Sequence, residues 1–311
     1  SVTVPHDWAI YGPFSSLNDK QEVAISQDGQ KEAMEHAGRT GGLPFVGVGW
    51  YRTEFDVPQF QAGKRATILF DGAMSHANVY INGQKVGYWP YGYNSFHFDI
   101  TKYLKPGEKN TLAVRLENLP ESSRWYPGAG LYRNVHLIIT EDAYIPVWGT
   151  YITTPSVNEK FAKVNVRTKV VLPEGADPAK YSVETSVWNP NKQKLTAVRT
   201  SLAQMKYNNN QAEQEFVIQT PSLWSPEMPA LYSAETRLYE GDKLKDIYTT
   251  PFGIRSIEII PDKGFFLNGK RTVFKGVCNH HDLGPLGAAV NDAAIRRQIR
   301  ILKDMGCNAI R

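Results

Sequence analysis

Residues 265–311 are the stretch where the patterning changes from strand alone to strand, helix, strand, and that change limits what the chain can fold into. The stretch reads FFLNGKRTVFKGVCNHHDLGPLGAAVNDAAIRRQIRILKDMGCNAIR. Asn268-Gly269, between short apolar runs, is a two-residue hairpin signal, and the run 272–278 after it predicts a strand. Asn291 or Asp292 is placed to cap a helix in which Ile295, Ile299 and Leu302 recur on one face. Gly306 stands where a left-handed C-terminal cap is needed. Residues 307–310 then resume as a second strand. A strand, a helix of about four turns and a second strand make a βαβ unit with parallel strands and a right-handed crossover. Chemistry in parallel α/β folds gathers at the carboxyl ends of strands. Here those ends carry His280, His281 and Asp282 after the first strand and Arg311 after the second. Spacing alone leaves two readings of this cluster open, a binding site or an ordinary loop hydrogen-bond network.

Upstream, the pattern is β throughout. Residues 50–57, 66–70, 77–81, 96–100, 111–116 and 135–139 are rich in β-branched and aromatic side chains, and Asn82-Gly83 marks a second tight hairpin. Six or more strands without an intervening helix predict an antiparallel sandwich, a jelly roll, over residues 1–140. Within it residues 26–44, polar and without period, read as a mobile loop. Residues 164–172, 181–188, 214–218 and 231–239 form a second strand set separated by polar turns at 173–178 and 208–210. Their spacing predicts an immunoglobulin-like sandwich over residues 141–256, without a cysteine pair and therefore resting on apolar packing. Residues 257–311 are left as the start of a parallel barrel, of which residues 272–311 are expected to pack on the immunoglobulin-like domain or on a second copy of the chain.

Charge and cysteine usage narrow the partners. A net charge of +4, with basic and acidic residues interspersed, gives no stripe for nucleic acid or an anionic membrane. No apolar run approaches the roughly 18 to 20 residues that span a bilayer. Aromatic residues make up 12% of the chain, which suits stacking on sugar rings and equally suits sandwich cores. Cys278 and Cys307 fall on neighbouring strands and read as two buried free thiols, neither a disulfide nor a metal site. Ser1 leads straight into VTVPHDW with no leader sequence. Removal of a leader fits a periplasmic or secreted place, with the cytoplasm as the alternative.

FKGVCNHHDLGPLG, followed by a helix and GCNAIR, resembles the opening of the catalytic (β/α)8 barrel of glycoside hydrolase family 2, the family of β-galactosidases, β-glucuronidases and β-mannosidases. VPHDW, GVGWYRTEFDVP, VYINGQKVG with YGYNSFHFDIT, and RWYPGAGLYRNVHL resemble the family's N-terminal sugar-binding-type domain, in the right order. LWSPEMPALY and FGIRSIEI resemble the closing phrases of its immunoglobulin-like domain.

The resemblance implies a retaining exo-β-glycosidase, most like a β-galactosidase, whose two catalytic glutamates lie beyond Arg311, so that no catalytic residue falls within this chain. β-Glucuronidase, β-mannosidase and a non-catalytic carbohydrate-binding module are the alternatives. The implied partner is a carbohydrate substrate, and a homo-oligomer is compatible with it. Asp282 matches a family position whose carboxylate accepts hydrogen bonds from sugar hydroxyls, while His281 replaces the usual Glu beside it. Arg311 matches the Arg under the nucleophile, where a fixed cation keeps a carboxylate ionised. His280 is implied to support the loop. Arg124, Trp125 and Tyr126 are candidates for the active-site rim or for an interdomain contact. Arg124 stands where some β-galactosidases carry an acidic residue that binds a cation, so no metal ligand or cofactor is assigned, and a structural or activating cation belongs to the full-length enzyme. Glu54, Asp56 and Glu117 sit on strands and read as solvated faces or structural hydrogen bonds.

Overall fold

Alternation of apolar and polar residues decides most strands in the computed structural model, which describes residues 1–15, 17–18, 22–25, 31–32, 34–37, 43–59, 63–120, 122–123, 125–204 and 211–311. The chain is mainly β and divides into two units, one of residues 1–139 with 276–311 and one of residues 140–275.

The first unit contains β1 (Glu22–Ile25), β2 (Met34–Ala37), β3 (Gly47–Asp56), β4 (Arg65–Phe70), β5 (Ala77–Ile81), β6 (Gln84–Trp89), β7 (Phe96–Asp99), β8 (Lys109–Asn118) and β9 (Val135–Thr140). β3, β8, β5 and β6 form one sheet in that order, β7, β4 and β9 a second, and β1 pairs with β2. Every other residue of β4 and β5 points inward, so Ala66, Ile68, Phe70, Ala77, Val79 and Ile81 meet Val114 and Leu116 in the core. Each of the larger side chains contributes about 1.5–3 kcal/mol by leaving water. Asn82 and Gly83 both take positive φ, 50° and 81°, which closes β5 onto β6 with the twist that paired strands need. The loop expected over residues 26–44 lies largely outside the described residues. Its described part contains β2, so the reading of one structureless loop is corrected there: a β1–β2 ladder gives its backbone partners.

In the second unit β10 (Thr150–Val157), β11 (Phe161–Lys169), β12 (Tyr181–Trp188), β13 (Lys194–Ser201), β14 (Gln211–Gln219), β15 (Tyr232–Glu240) and β16 (Lys243–Phe252) form two sheets, ordered β10-β11-β14 and β13-β12-β15-β16. Val164, Val166, Val187, Phe216, Ile218 and Tyr232 fill the space between them, an immunoglobulin-like core held by apolar packing. The turn expected at residues 208–210 lies outside the described residues. β17 (Ile257–Ile260), β18 (Gly264–Leu267) and β19 (Lys270–Arg271) make a small antiparallel meander in the same unit. Asn268, at the β18–β19 turn, fastens it by accepting from the Ser256 amide and donating to the Trp224 carbonyl, both at 3.0 Å.

Residues 276–311 add β20 (Gly276–Val277), α1 (Asp292–Asp304) and β21 (Ala309–Ile310) to the first unit, with β20 and β21 parallel. The Asn291 side chain caps α1 by accepting from the Ala294 amide at 3.0 Å, and Gly306 ends it at φ 86°. Three expectations are corrected here. The strand read over 272–278 shrinks to two residues, because its ladder pairs only Gly276 with Ala309 and Val277 with Ile310. Cys278 is exposed and Cys307 partly so, and both lie outside the strands β20 and β21 instead of facing an interior from them. The segment groups with the first sandwich and not with the immunoglobulin-like one: Ala288 is buried in one cluster with Ala9, Met74, Tyr126, Ala129 and Tyr132. α1 itself has no buried residue, and Ile299 on its apolar face is 50% exposed.

Candidate functional site

The loop after β20 takes its position from a buried carboxylate at the other end of the chain. Asp7, in the VPHDW phrase, is 1% exposed. Its Oδ1 accepts from the amides of Ala9 at 3.0 Å and Ala129 at 3.1 Å. Its Oδ2 accepts from the Tyr126 hydroxyl at 2.6 Å and the Ala288 amide at 2.8 Å. A carboxylate withdrawn from water is tolerable only when donors replace its hydration shell, and four do so here. Three segments distant in sequence therefore meet at one side chain. Gly287, at φ +67°, makes the approach feasible, because a Cβ there would lie 2.6 Å from Asp7 Oδ2.

His281 is held on the same loop. Its Nε2 donates to the Pro127 carbonyl at 2.8 Å, and its ring lies 5.4 Å from Tyr93 and 5.6 Å from Tyr132. A carbonyl can only accept, so Nε2 carries the proton, and burial holds the imidazole pKa below its ordinary value and the ring neutral. His280 is exposed and its ring is tilted 4.7 Å from Trp125. Trp125 Nε1 donates to the Tyr93 hydroxyl at 3.1 Å, and burial raises the Tyr93 pKa, which keeps the phenol protonated. Asp282 is half-buried, accepts from the Gly284 amide at 3.3 Å, and adds its charge to burial and Asp7 in raising the Tyr126 pKa.

The fold thus brings His280, His281, Trp125 and Tyr126 to one place. Tyr126 is buried and its hydroxyl is committed to Asp7, so within this unit it anchors the loop from beneath. Arg311 lies at the end of β21, its Nη1 3.5 Å from Cys278 Sγ. Its backbone donates to the Val277 carbonyl and accepts from the Asn279 amide. Arg124 lies outside the described residues. Sequence reasoning missed Asp7 and Tyr93. A buried Asp after a His has no spacing signature, and Tyr93 is one ring in the aromatic run YWPYGY.

His281 gives a test of this burial. Because its folded pKa is depressed, the unfolded chain takes up the proton first. The stabilisation is therefore complete above the ordinary value of 6.5 and is lost as pH falls below it. His6, also depressed by burial, acts in the same sense. The urea midpoint should drop between about pH 7.5 and 5.5, and drop less in His281→Gln, which keeps a donor for Pro127 but has no proton to take up. Equal drops would remove His281 from this account.

Comparison with known proteins places three family models along the chain. The glycosyl hydrolases family 2 sugar binding domain matches residues 43–141, the glycosyl hydrolases family 2 model matches residues 144–255, and the family 2 TIM barrel domain matches residues 258–311. The beta-galactosidase BoGH2A of Bacteroides ovatus is 42% identical over 311 residues, which is all of this chain and 34% of that protein. A beta-glucuronidase of Bacteroides fragilis is 34% identical over 278 residues, covering 85% of this chain and 39% of the relative. The chain thus spans about a third of the length of these relatives. Among solved structures, a glycosyl hydrolase family 2 member from Bacteroides cellulosilyticus superposes with a TM-score of 0.85 at 34% identity, covering 99% of this chain and 38% of that one. A beta-glycosidase from Bacteroides vulgatus gives 0.83 at 32% identity, covering 99% and 37%.

Proposed function

Because this chain belongs to glycosyl hydrolase family 2, we propose that it is the front part of a retaining exo-β-glycosidase that removes terminal β-linked sugars, with β-galactosides as its substrates. The observation that carries the proposal is the loop after β20, where Asp282 and the exposed His280 follow a parallel strand at its carboxyl end. Identity to a named beta-galactosidase along the whole chain supports galactose as the sugar.

In the retaining mechanism one carboxylate attacks the anomeric carbon, and a second, about 5 to 5.5 Å away, protonates the leaving oxygen and then activates water. The family resemblance implies that both lie beyond Arg311. What this chain contributes is binding and orientation. Asp282 accepts hydrogen bonds from sugar hydroxyls, and its loop is braced by His281 on Pro127 and by His280 against Trp125. Arg311 supplies a cation that keeps the nucleophile ionised. The beta-glucuronidase among the relatives favours a second reading, the same chemistry on a glucuronide.

In the whole enzyme, Asp282→Ala should lower kcat/KM by roughly ten- to a hundredfold, the equivalent of one charge-assisted hydrogen bond of about 1.5–3 kcal/mol. Unchanged kinetics would reduce the cluster to a loop network. Aryl β-galactoside, β-glucuronide and β-mannoside compared side by side decide the sugar, and a glucuronide turned over fastest would replace the galactoside reading.

A further inference from the structure

The outward face of the β3-β8-β5-β6 sheet carries a row of side chains in direct register across all four strands: Trp50, Arg115, Asn78 and Tyr88. Four strands about 4.8 Å apart make this row about 14 Å long. Trp50 is 54% exposed and Tyr88 46%, although both are large rings on a regular sheet. Tyr80, one position along, extends the shelf, its ring centroid 5.8 Å from that of Trp50 and tilted by 34°.

The arginine in the middle of this row is already neutralised by a neighbouring carboxylate. Arg115 Nη1 pairs with Glu117 Oε2 at 3.0 Å, beside the rings, and the Lys85 ammonium sits 5.9 Å from the centre of the Tyr88 ring. The opposite sheet turns Arg65, Thr67 and Leu69 of β4 and His97 and Asp99 of β7 outward, with no Trp or Tyr among them. The aromatic shelf is thus a property of one face and not of the sandwich in general.

We propose that this face is a binding platform for a neutral glycan chain, separate from the loop that carries Asp282. A pyranose presents apolar C–H faces and hydroxyl edges, so it calls for aromatic rings and hydrogen-bonding groups side by side, which is what the row offers. Protein interface cores are depleted of charge, whereas a partly exposed ion pair stands in the middle of this row. A nucleic-acid platform would line the rings with a basic groove, whereas the arginine in the middle of this row is paired with Glu117. The ligand class draws on the glycosidase reading; the location does not.

The test is affinity electrophoresis of the 311-residue chain in native gels cast with galactomannan, β-1,4-galactan or hydroxyethylcellulose, and with polygalacturonate as an anionic polymer. At least one neutral polymer should retard the chain. Trp50→Ala and Tyr88→Ala should each weaken binding by roughly tenfold, while Trp50→Phe keeps part of it. Tyr151→Ala, which removes an exposed ring of the second unit, should bind as the parent does. Retention of the parent's thermal midpoint in the Trp50 and Tyr88 variants shows that they fold. No retardation by any neutral polymer, retardation by polygalacturonate alone, or loss of binding in Tyr151→Ala would overturn the platform. So would sedimentation showing self-association of the chain that Trp50→Ala abolishes, which would make the face an interface between copies. None of these outcomes touches turnover of a small aryl glycoside by the whole enzyme, so the platform and the glycosidase reading fail separately.

Discussion

Asp7→Ala should destabilise the first unit by roughly 3 kcal/mol or more. The carboxylate accepts from three amides and one phenol, and its removal leaves the donors of Ala9, Ala129, Ala288 and Tyr126 buried without acceptors. Asp7→Asn is the more informative variant, because it keeps the shape. An amide has one accepting oxygen, so its NH2 must face either the Ala9 and Ala129 amides or the Ala288 amide and the Tyr126 hydroxyl. The Tyr126 hydroxyl can turn to accept from that NH2, so the Ala288 amide is left facing a donor, and Asp7→Asn should cost less than the truncation but still about 1–3 kcal/mol. Tyr126→Phe removes one donor together with its partner's bond and should cost about 1–2 kcal/mol. Urea unfolding of the 311-residue chain, followed by the fluorescence of Trp8 and Trp125, separates these cases. An Asp7→Asn chain as stable as the parent would show that the four contacts do not hold the three segments together.

That carboxylate also marks where sequence reading reached its limit. The hairpins at Asn82-Gly83 and Asn268-Gly269, the Asn291 cap and the Gly306 terminator were all legible, because each depends on residues within a few positions of one another. Strands with one buried face were legible too, as β5 and β12 show. β10, β13 and β16 were not. Each lies at the edge of its sheet, and β13, with the sequence KLTAVRTS, buries no side chain fully, so its alternation has little contrast to read. The Asp7 contacts span up to 281 positions, a range at which no local pattern can report. The site loop was found from the strand–helix–strand switch and from family phrases. Of what braces it, Trp125 was already a candidate contact, whereas Tyr93 and Pro127 became visible only when the chain was folded.

The 311-residue chain by itself is expected to turn over no aryl β-glycoside. Retaining hydrolysis needs a nucleophile and an acid/base at a fixed separation of about 5 to 5.5 Å, and without the pair the glycosyl–enzyme intermediate cannot form. The family resemblance assigns neither role to a residue of this chain. Asp282 could still accept a sugar hydroxyl, but binding without transition-state charge stabilisation does not lower the barrier. The packing points the same way. β20 has one strand neighbour, α1 buries none of its side chains, and Ile299 and Ile310 stand half exposed, so the parallel layer that would fix Arg311 opposite Asp282 is not closed within these residues. The assay is purified chain against aryl β-galactoside, β-glucuronide and β-mannoside, with the Asp282→Ala chain in parallel. Activity that follows the chain through successive columns and falls in Asp282→Ala would place both catalytic carboxylates inside these 311 residues and overturn the division of roles proposed for Asp282 and Arg311.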